Sequence, residues 1–573
     1  MRETSRRITV RYSGASSGFG PLTLGQDNMI RCIRRDRPEQ INKESVWPVP
    51  DGTTLTAALD AVRRLVERHD SLRTVFPPGP GPDAFPERQL VCGEGEFDVT
   101  VVDSRSTGGA AGIDALAEEL GRADVAVPFD LAAGPRLRFT LLTEDDHPLR
   151  LVVVVCHAGA DGAATTLLIE DWCALAAGKE LPPVTARTPL EVAAVEQSDQ
   201  GRRKAAAALR HWQKVLSTAP QAAFADSRIT GPPDGVAAVV LRSRQAAADL
   251  LATARRTGAS PSVVLLAAFA SLVARRAGRG DLVMSALSAN RQRAAMADHI
   301  GTLAQDALIA LDTDAADLDE VIGRAKAASL AGYWHSTLPA GAVWQLIEDV
   351  AHLRGSRFAR QVVVNDLSMT IPEAMSDARP SPTSDPELTW LPDQPVAVRL
   401  MLNILRTSNS LEFALVACPQ VLDREETGRF ALALPALLEA AARGPVPLAG
   451  LPALTGLGGA VRTGAWQRIE NSWVDLDAVR ALVVDALGTA TRVDFVDGRL
   501  IARIATDDPG FTPLVAHRTV IEALPGRDTA MAPQHYVVHA AAHPAGPPCW
   551  DDATVVAEGS GRCPEIAGRL APR

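Results

Sequence analysis

The feature that most constrains this chain is a run of five aliphatic residues, Leu151-Val-Val-Val-Val155, followed by Cys156 and His157. Aliphatic residues without polar alternation mark a strand covered on both faces, the pattern of a sheet sandwiched between helices. A histidine at its end is conspicuous, because strand ends feeding loops are where α/β proteins place reacting groups. Small residues and Gly162 permit a tight turn after it, and Thr165 to Ala177 reads as a helix closed by Gly178. On spacing alone, His157 and Asp161 read equally as a hydrogen-bonded core histidine with an unrelated turn aspartate.

The rest of the chain repeats this grammar. Residues 1–185 alternate short apolar runs with helix-period segments: Val46 to Val49 and Leu72 to Phe76 flank Leu55, Leu59, Val62, Leu65 and Val66 at helical spacing. Further strands are expected at Gln89 to Cys92, Phe97 to Val102, Leu137 to Thr143 and Leu149 to Cys156, with a helix near Ile113 to Arg122. A second unit, residues 203–443, opens with a basic helix and continues with a helix begun by Ser260 and Pro261, a natural cap and first-turn pair. Strands at Asp281 to Ala289 and Arg360 to Asn365, and the pair Ala397 to Leu405 and Leu411 to Cys418, complete its pattern. Residues 444–459, rich in proline and glycine, read as a linker with few crossing contacts, and 460–573 as an appended, separable domain. The fold class is α/β, in two large lobes plus a small α+β unit.

Composition excludes several functions. With 573 residues, 46% hydrophobic and 22% charged, the chain can bury more than one core. Its net charge of -10 opposes non-specific nucleic-acid binding, which needs a basic surface. Seven cysteines, at 32, 92, 156, 173, 418, 549 and 563, show no CxxC spacing, so neither a disulfide framework nor a zinc ribbon is indicated. The start is charged and then polar, unlike a secretory signal, and the apolar stretch Val263 to Ala274 is too short to span a bilayer. A cytoplasmic protein without a membrane partner is expected. No lysine follows Lys326, which removes a Schiff-base or P-loop lysine from the later chain.

The segment Cys156-His157-Ala158-Gly159-Ala160-Asp161-Gly162 resembles the HHxxxDG signature of nonribosomal-peptide-synthetase condensation domains, in the chloramphenicol-acetyltransferase-like superfamily. Cys156 replaces the first histidine. Leu22-Thr-Leu-Gly-Gln26 resembles the opening LTxxQ motif, Arg68-His-Asp-Ser-Leu-Arg-Thr-Val-Phe76 is close to RHExLRTxF, and His299 to Asp306 is similar to an IGxFxN-type motif, with Gln305-Asp306 departing from it. The resemblance covers residues 20 to about 445. It implies two chloramphenicol-acetyltransferase-like lobes in a V, with His157 between them as base or positioner. Asp161 would pair with an arginine of the other lobe, for which Arg291 is placed, and Gly162 would support the site loop. It further implies a carrier protein whose phosphopantetheine arm delivers an acyl thioester to a small-molecule amine or hydroxyl acceptor, with no bound cofactor or metal. A coenzyme A-dependent acyltransferase on the same fold, or a catalytically silent carrier-binding scaffold, are the alternatives.

Other residues invite a function and have a structural reading. His69 reads as part of a helix end passing into a strand, with Arg68 and Arg73 satisfying carbonyls and carboxylates. Cys156, adjacent to His157 on an extended strand, points to the opposite face and packs into the core. His535, His539 and His543 would line one face of a helix as metal ligands, but nearby prolines disfavour a helix. Residues 473–540 faintly resemble the C-terminal subdomain of adenylate-forming enzymes, without its lysine.

Overall fold

The computed structural model describes residues 5–81, 84–104, 109–231, 233, 235–368, 385–394, 398–540, 550 and 553–570. In the first lobe, five strands lie in the order Ser5–Ser13, Glu94–Asp103, Leu137–Glu144, His147–Val155 and Lys43–Pro48. The aliphatic strand pairs antiparallel with a neighbour on each side. Its alternate side chains feed two cores. Leu151, Val153 and Val155 pack under helices Leu55–Arg68 and Gly162–Ala176, while Val152 packs under helix Ala110–Val125. Covering on both faces is why no polar residue interrupts the run.

The strand Ser5–Ser13 has no counterpart in the sequence reading, because it is an edge strand whose arginines stay in solvent and whose buried side chains are only Val10 and Tyr12. Leu72 to Phe76 also differs from expectation. It is a 3-10 turn, Asp70–Arg73, leading into the two-residue strand Thr74–Val75. Arg73 is drawn inward, bonding the Val66 carbonyl at 3.2 Å, the Ser16 carbonyl at 2.9 Å and Asp70 at 2.6 Å, and this winds the chain.

The second lobe has seven strands in the order Gln305–Asp312, Asp281–Ser288, Val362–Asp366, Leu400–Arg406, Leu411–Ala417, Val236–Ser243 and Glu387–Gln394. Helices Arg244–Thr257, Pro261–Ala277, Leu318–Trp334 and Arg424–Arg443 bury one face in the largest core. Asp199–Leu216 and Ala340–Arg354 cover the other face. The Ser260 hydroxyl accepts the Val263 amide, the cap its sequence calls for. Ala397, the expected start of one strand, lies outside the described residues. No single helix among the described residues is long and apolar enough to cross a membrane.

The segment 444–459 is not a linker. Val446, Leu451 and Leu457 are buried in the second lobe's core, and Leu318 and Val446 share a backbone hydrogen bond. Proline and glycine here serve short helical turns pressed on that core, not an exposed tether. Nor is the following unit loosely appended. It has a four-stranded sheet, Ala490–Val496, Arg499–Thr506, His535–Ala540 and Val555–Gly559, with helices Leu476–Leu487 and Pro513–Glu522. Polar bonds stitch it to the second lobe: the Gln221 amide donates to the Asp528 and Ala530 carbonyls, and His517 Nε2 donates to the His352 carbonyl at 2.7 Å. Asp528 Oδ2 accepts Gln361 Nε2 at 2.7 Å and faces Arg399 at 3.3 Å, a guanidinium almost wholly buried.

His535 and His539 sit on a strand rather than a helix, and His539 is buried with Nδ1 3.0 Å from the Ala553 carbonyl. His543 and Cys549 lie outside the described residues.

Candidate active site at the junction of the lobes

Strand His147–Val155 ends one residue before Cys156, whose carbonyl accepts the Gly159 amide at 2.8 Å and closes a turn. The turn is pressed hard against Arg136: a Cβ on Gly159 would stand 2.3 Å from the Arg136 Cβ, so only glycine fits. Cys156 packs with Leu22, Ile30, Phe76 and Ala158, buried among apolar groups. His157 is half-buried on the same turn. Helix Gly162–Ala176 begins soon after, capped by Asp161 through Oδ1 and the Ala164 amide at 3.0 Å.

Asp161 also reaches the second lobe. Its Oδ2 accepts Arg291 Nη1 at 2.8 Å, the Leu303 amide at 2.9 Å and the Ala304 amide at 3.0 Å. Arg291 follows the strand Asp281–Ser288 and uses Nη2 to hold the carbonyls of His299 at 3.1 Å and Gly301 at 3.0 Å. Burial acts to raise the Asp161 pKa, but the charge and hydrogen bond of Arg291, with the two backbone amides of Ala164 and Leu303, outweigh it and hold the carboxyl below its ordinary value. The carboxylate is thus committed to the clamp and does not orient the imidazole.

His157 has its pKa pushed down, first by burial and then by the positive charge of Lys43, while Asp161 and backbone carbonyls oppose the shift. The ring is therefore neutral near pH 7. Its Nδ1 is buried and has no hydrogen-bond partner among the described residues. A neutral imidazole can accept a proton from, or hydrogen-bond to, a nucleophile. Gly162 occupies the first helical turn; a Cβ there would meet only Leu367 of the second lobe, at 4.0 Å. Its backbone is not left-handed, so the tight-turn reason for this glycine does not hold.

The other motifs converge on the same junction. At Gly25 a Cβ would lie 1.9 Å from the Thr302 carbonyl oxygen, so glycine lets helix Leu24–Arg35 touch the loop that Asp161 holds. Gln305 Nε2 donates to the carbonyls of Leu24 at 3.3 Å and Leu338 at 2.8 Å, and Asp306 forms a two-pronged pair with Arg360 at 2.6 and 2.8 Å. The departures from the asparagine-type motif therefore have partners of their own. His69 Nε2 and Arg68 Nε both lie on Asp171 Oδ2, at 2.8 and 3.0 Å, which ties the helix end to Gly162–Ala176.

Two roles at the junction escaped the sequence reading, which has His299 only as the start of a motif and does not single out Lys43. His299 places Nδ1 2.6 Å from the Arg187 carbonyl, and burial lowers its pKa to about 4. Lys43 starts the strand beside His147–Val155, and only the pairing register reveals its proximity to His157.

Residues 37–446 match the family model described as Condensation domain. Phosphinothricin tripeptide synthetase PhsC of Streptomyces viridochromogenes is 32% identical over 266 residues, which are 44% of this chain and 24% of that protein. Malpibaldin synthetase of Mortierella alpina is 26% identical over 307 residues, 50% of this chain and 5% of that protein. The chain thus spans about a quarter or less of the length of these curated relatives. Among solved structures, the SgcC5 protein from Streptomyces globisporus superposes with a TM-score of 0.57 at 19% identity, covering 75% of this chain and 100% of the other. The X-domain from teicoplanin biosynthesis gives a TM-score of 0.58 at 21% identity, covering 75% and 96%. At such identities the likeness is one of fold, the paired chloramphenicol-acetyltransferase-like lobes. With its family model matched over most of its length, the chain belongs to the condensation-domain family.

Proposed function

We propose that this protein joins an acyl or aminoacyl group, presented as a thioester on the phosphopantetheine arm of a carrier protein, to an amine or hydroxyl acceptor. The observation that carries this reading is the placement of His157 at the lobe junction, on a turn braced through Asp161 against Arg291, Leu303 and Ala304 of the other lobe. The thioester is already activated, so attack by the acceptor forms the C–N or C–O bond and breaks the C–S bond without ATP. The acceptor's proton goes to the imidazole, or is held by it, and then to the departing thiolate. The Asp161 clamp braces the turn that carries His157 and leaves the imidazole to substrate.

The test is product formation by the full chain from acyl-carrier donors, compared with acyl-coenzyme A donors and with His157→Ala. A loss of about 100-fold or more in the variant assigns a general base, whereas a loss below tenfold assigns a positioner. Turnover of coenzyme A thioesters alone would favour the free-thioester acyltransferase. Equal product with and without His157, in a reaction that requires this protein, would favour the scaffold.

A further inference from the structure

Lys43 begins the strand Lys43–Pro48 and is the register partner of Val155 on the antiparallel strand. His157 lies two residues past Val155, so Lys43 holds the position diagonal to it across the strands. Such neighbours are roughly 7–8 Å apart at the backbone, within reach of a four-carbon side chain. His157 has by then left the regular strand, but the Lys43 charge is still felt at its imidazole.

The only carboxylate acting on the ammonium among the described residues is Glu44, through its charge and not through an ion pair. Among the described residues its hydrogen bond is to the Gln40 carbonyl at 3.2 Å, and no ion pair is formed. Glu44, next in sequence, turns to the opposite face of the sheet, against Gly121. Lys43 is open to solvent, yet desolvation by the surrounding protein pushes its pKa down. The ammonium therefore stays solvated while packed protein stands beside it. Two of its three N–H groups remain for a ligand. Asp161, the nearest carboxylate of the motif, is consumed by Arg291 and three backbone amides.

We propose that Lys43 is a specificity-determining residue that receives a free carboxylate of the acceptor while the acceptor's amine faces His157. The proposal rests on the condensing function above and names its acceptor class: an amino acid whose carboxylate is unesterified, in place of one tethered to a carrier. In an amino acid the amine and carboxylate are separated by a carbon or two, so an amine within ~3 Å of the imidazole can bring the carboxylate within reach of the Lys43 side chain. A cation there also disfavours a protonated, unreactive amine beside the imidazole.

The experiment uses the full chain, a donor thioester, and the proteinogenic amino acids paired with their methyl esters. Wild type should favour an acid over its ester by at least tenfold in kcat/KM, mostly through KM. Lys43→Met should collapse that ratio at least tenfold, and Lys43→Arg should restore most of it. Binding of the same acids and esters is followed by the NMR shifts of the His157 ring, which needs no turnover. An acid-specific shift lost in Lys43→Met supports the proposal even if no donor is accepted. An acid-to-ester ratio near one in wild type, or a ratio unchanged in Lys43→Met, overturns it. Absence of product with every donor, alongside intact acid-specific binding, would instead count against the condensing function.

Discussion

Arg291 of the second lobe meets Asp161 of the first at 2.8 Å, on a carboxylate oxygen that also accepts the Leu303 and Ala304 amides from that same second lobe. One side chain therefore caps the helix after His157 and locks the lobes together. Both partners are buried, so the pair holds only while it stays complete.

Asp161→Asn removes the charge and leaves Arg291 buried without it, which should cost about 3–5 kcal/mol. Thermal or urea unfolding at pH 7 should show the lobes melting well before those of wild type. The folded Asp161 pKa is depressed, so its contribution is complete above the unfolded value of about 3.9 and is lost as the pH falls through the folded value. The gap between wild type and variant should therefore close in acid. Equal melting at pH 7 would remove the clamp from any account of stability.

The acid limb of activity should lie below pH 6.5, the ordinary histidine value, because burial and Lys43 both hold His157 neutral. Lys43→Met removes a cation and should move that limb, and the NMR titration of the ring, to higher pH. Asp161→Asn removes an anion that favours protonation, so the ring should titrate at still lower pH. A shift of the opposite sign in either variant would mean that other charges control the imidazole.

Gly25→Ala should be far more damaging than Gly162→Ala. The first places a Cβ 1.9 Å from the Thr302 carbonyl oxygen, while the second only touches Leu367 at 4.0 Å. Turnover should drop at least tenfold in Gly25→Ala, with each lobe's secondary structure retained by circular dichroism, because the misfit lies between lobes. Comparable effects of the two substitutions would deny the close approach.

Truncation after residue 459 should yield an insoluble or partly unfolded second lobe. It deletes Asp528, leaving the buried Arg399 without its carboxylate and Gln361 Nε2 without its acceptor. Asp528→Asn should lower the melting temperature of the full chain by several degrees, and Asp528→Glu by less. A soluble, cooperatively melting truncation would restore the separable domain that the proline- and glycine-rich segment suggests.

What the sequence determined by itself is local and periodic. Leu151 to Val155 could only be a doubly covered strand, Ser260-Pro261 a helix start, and the order of the motifs a condensation-domain chain. Those features depend on neighbours within a few residues, where side-chain period and capping act. The arginine of the second lobe was legible too, through the resemblance, although its bonds to His299 and Gly301 were not.

Tertiary structure alone decided the rest. Lys43 is near His157 only because strand Lys43–Pro48 pairs with His147–Val155 in one register, and a shift by one residue would turn it to the other face. Gly25 matters only because a loop 277 residues later presses on it. The segment 444–459 has the composition of a tether, yet Val446, Leu451 and Leu457 find a core supplied by distant helices. Composition reports what a segment can expose, whereas burial depends on which surface arrives to cover it, and that surface comes from elsewhere in the chain.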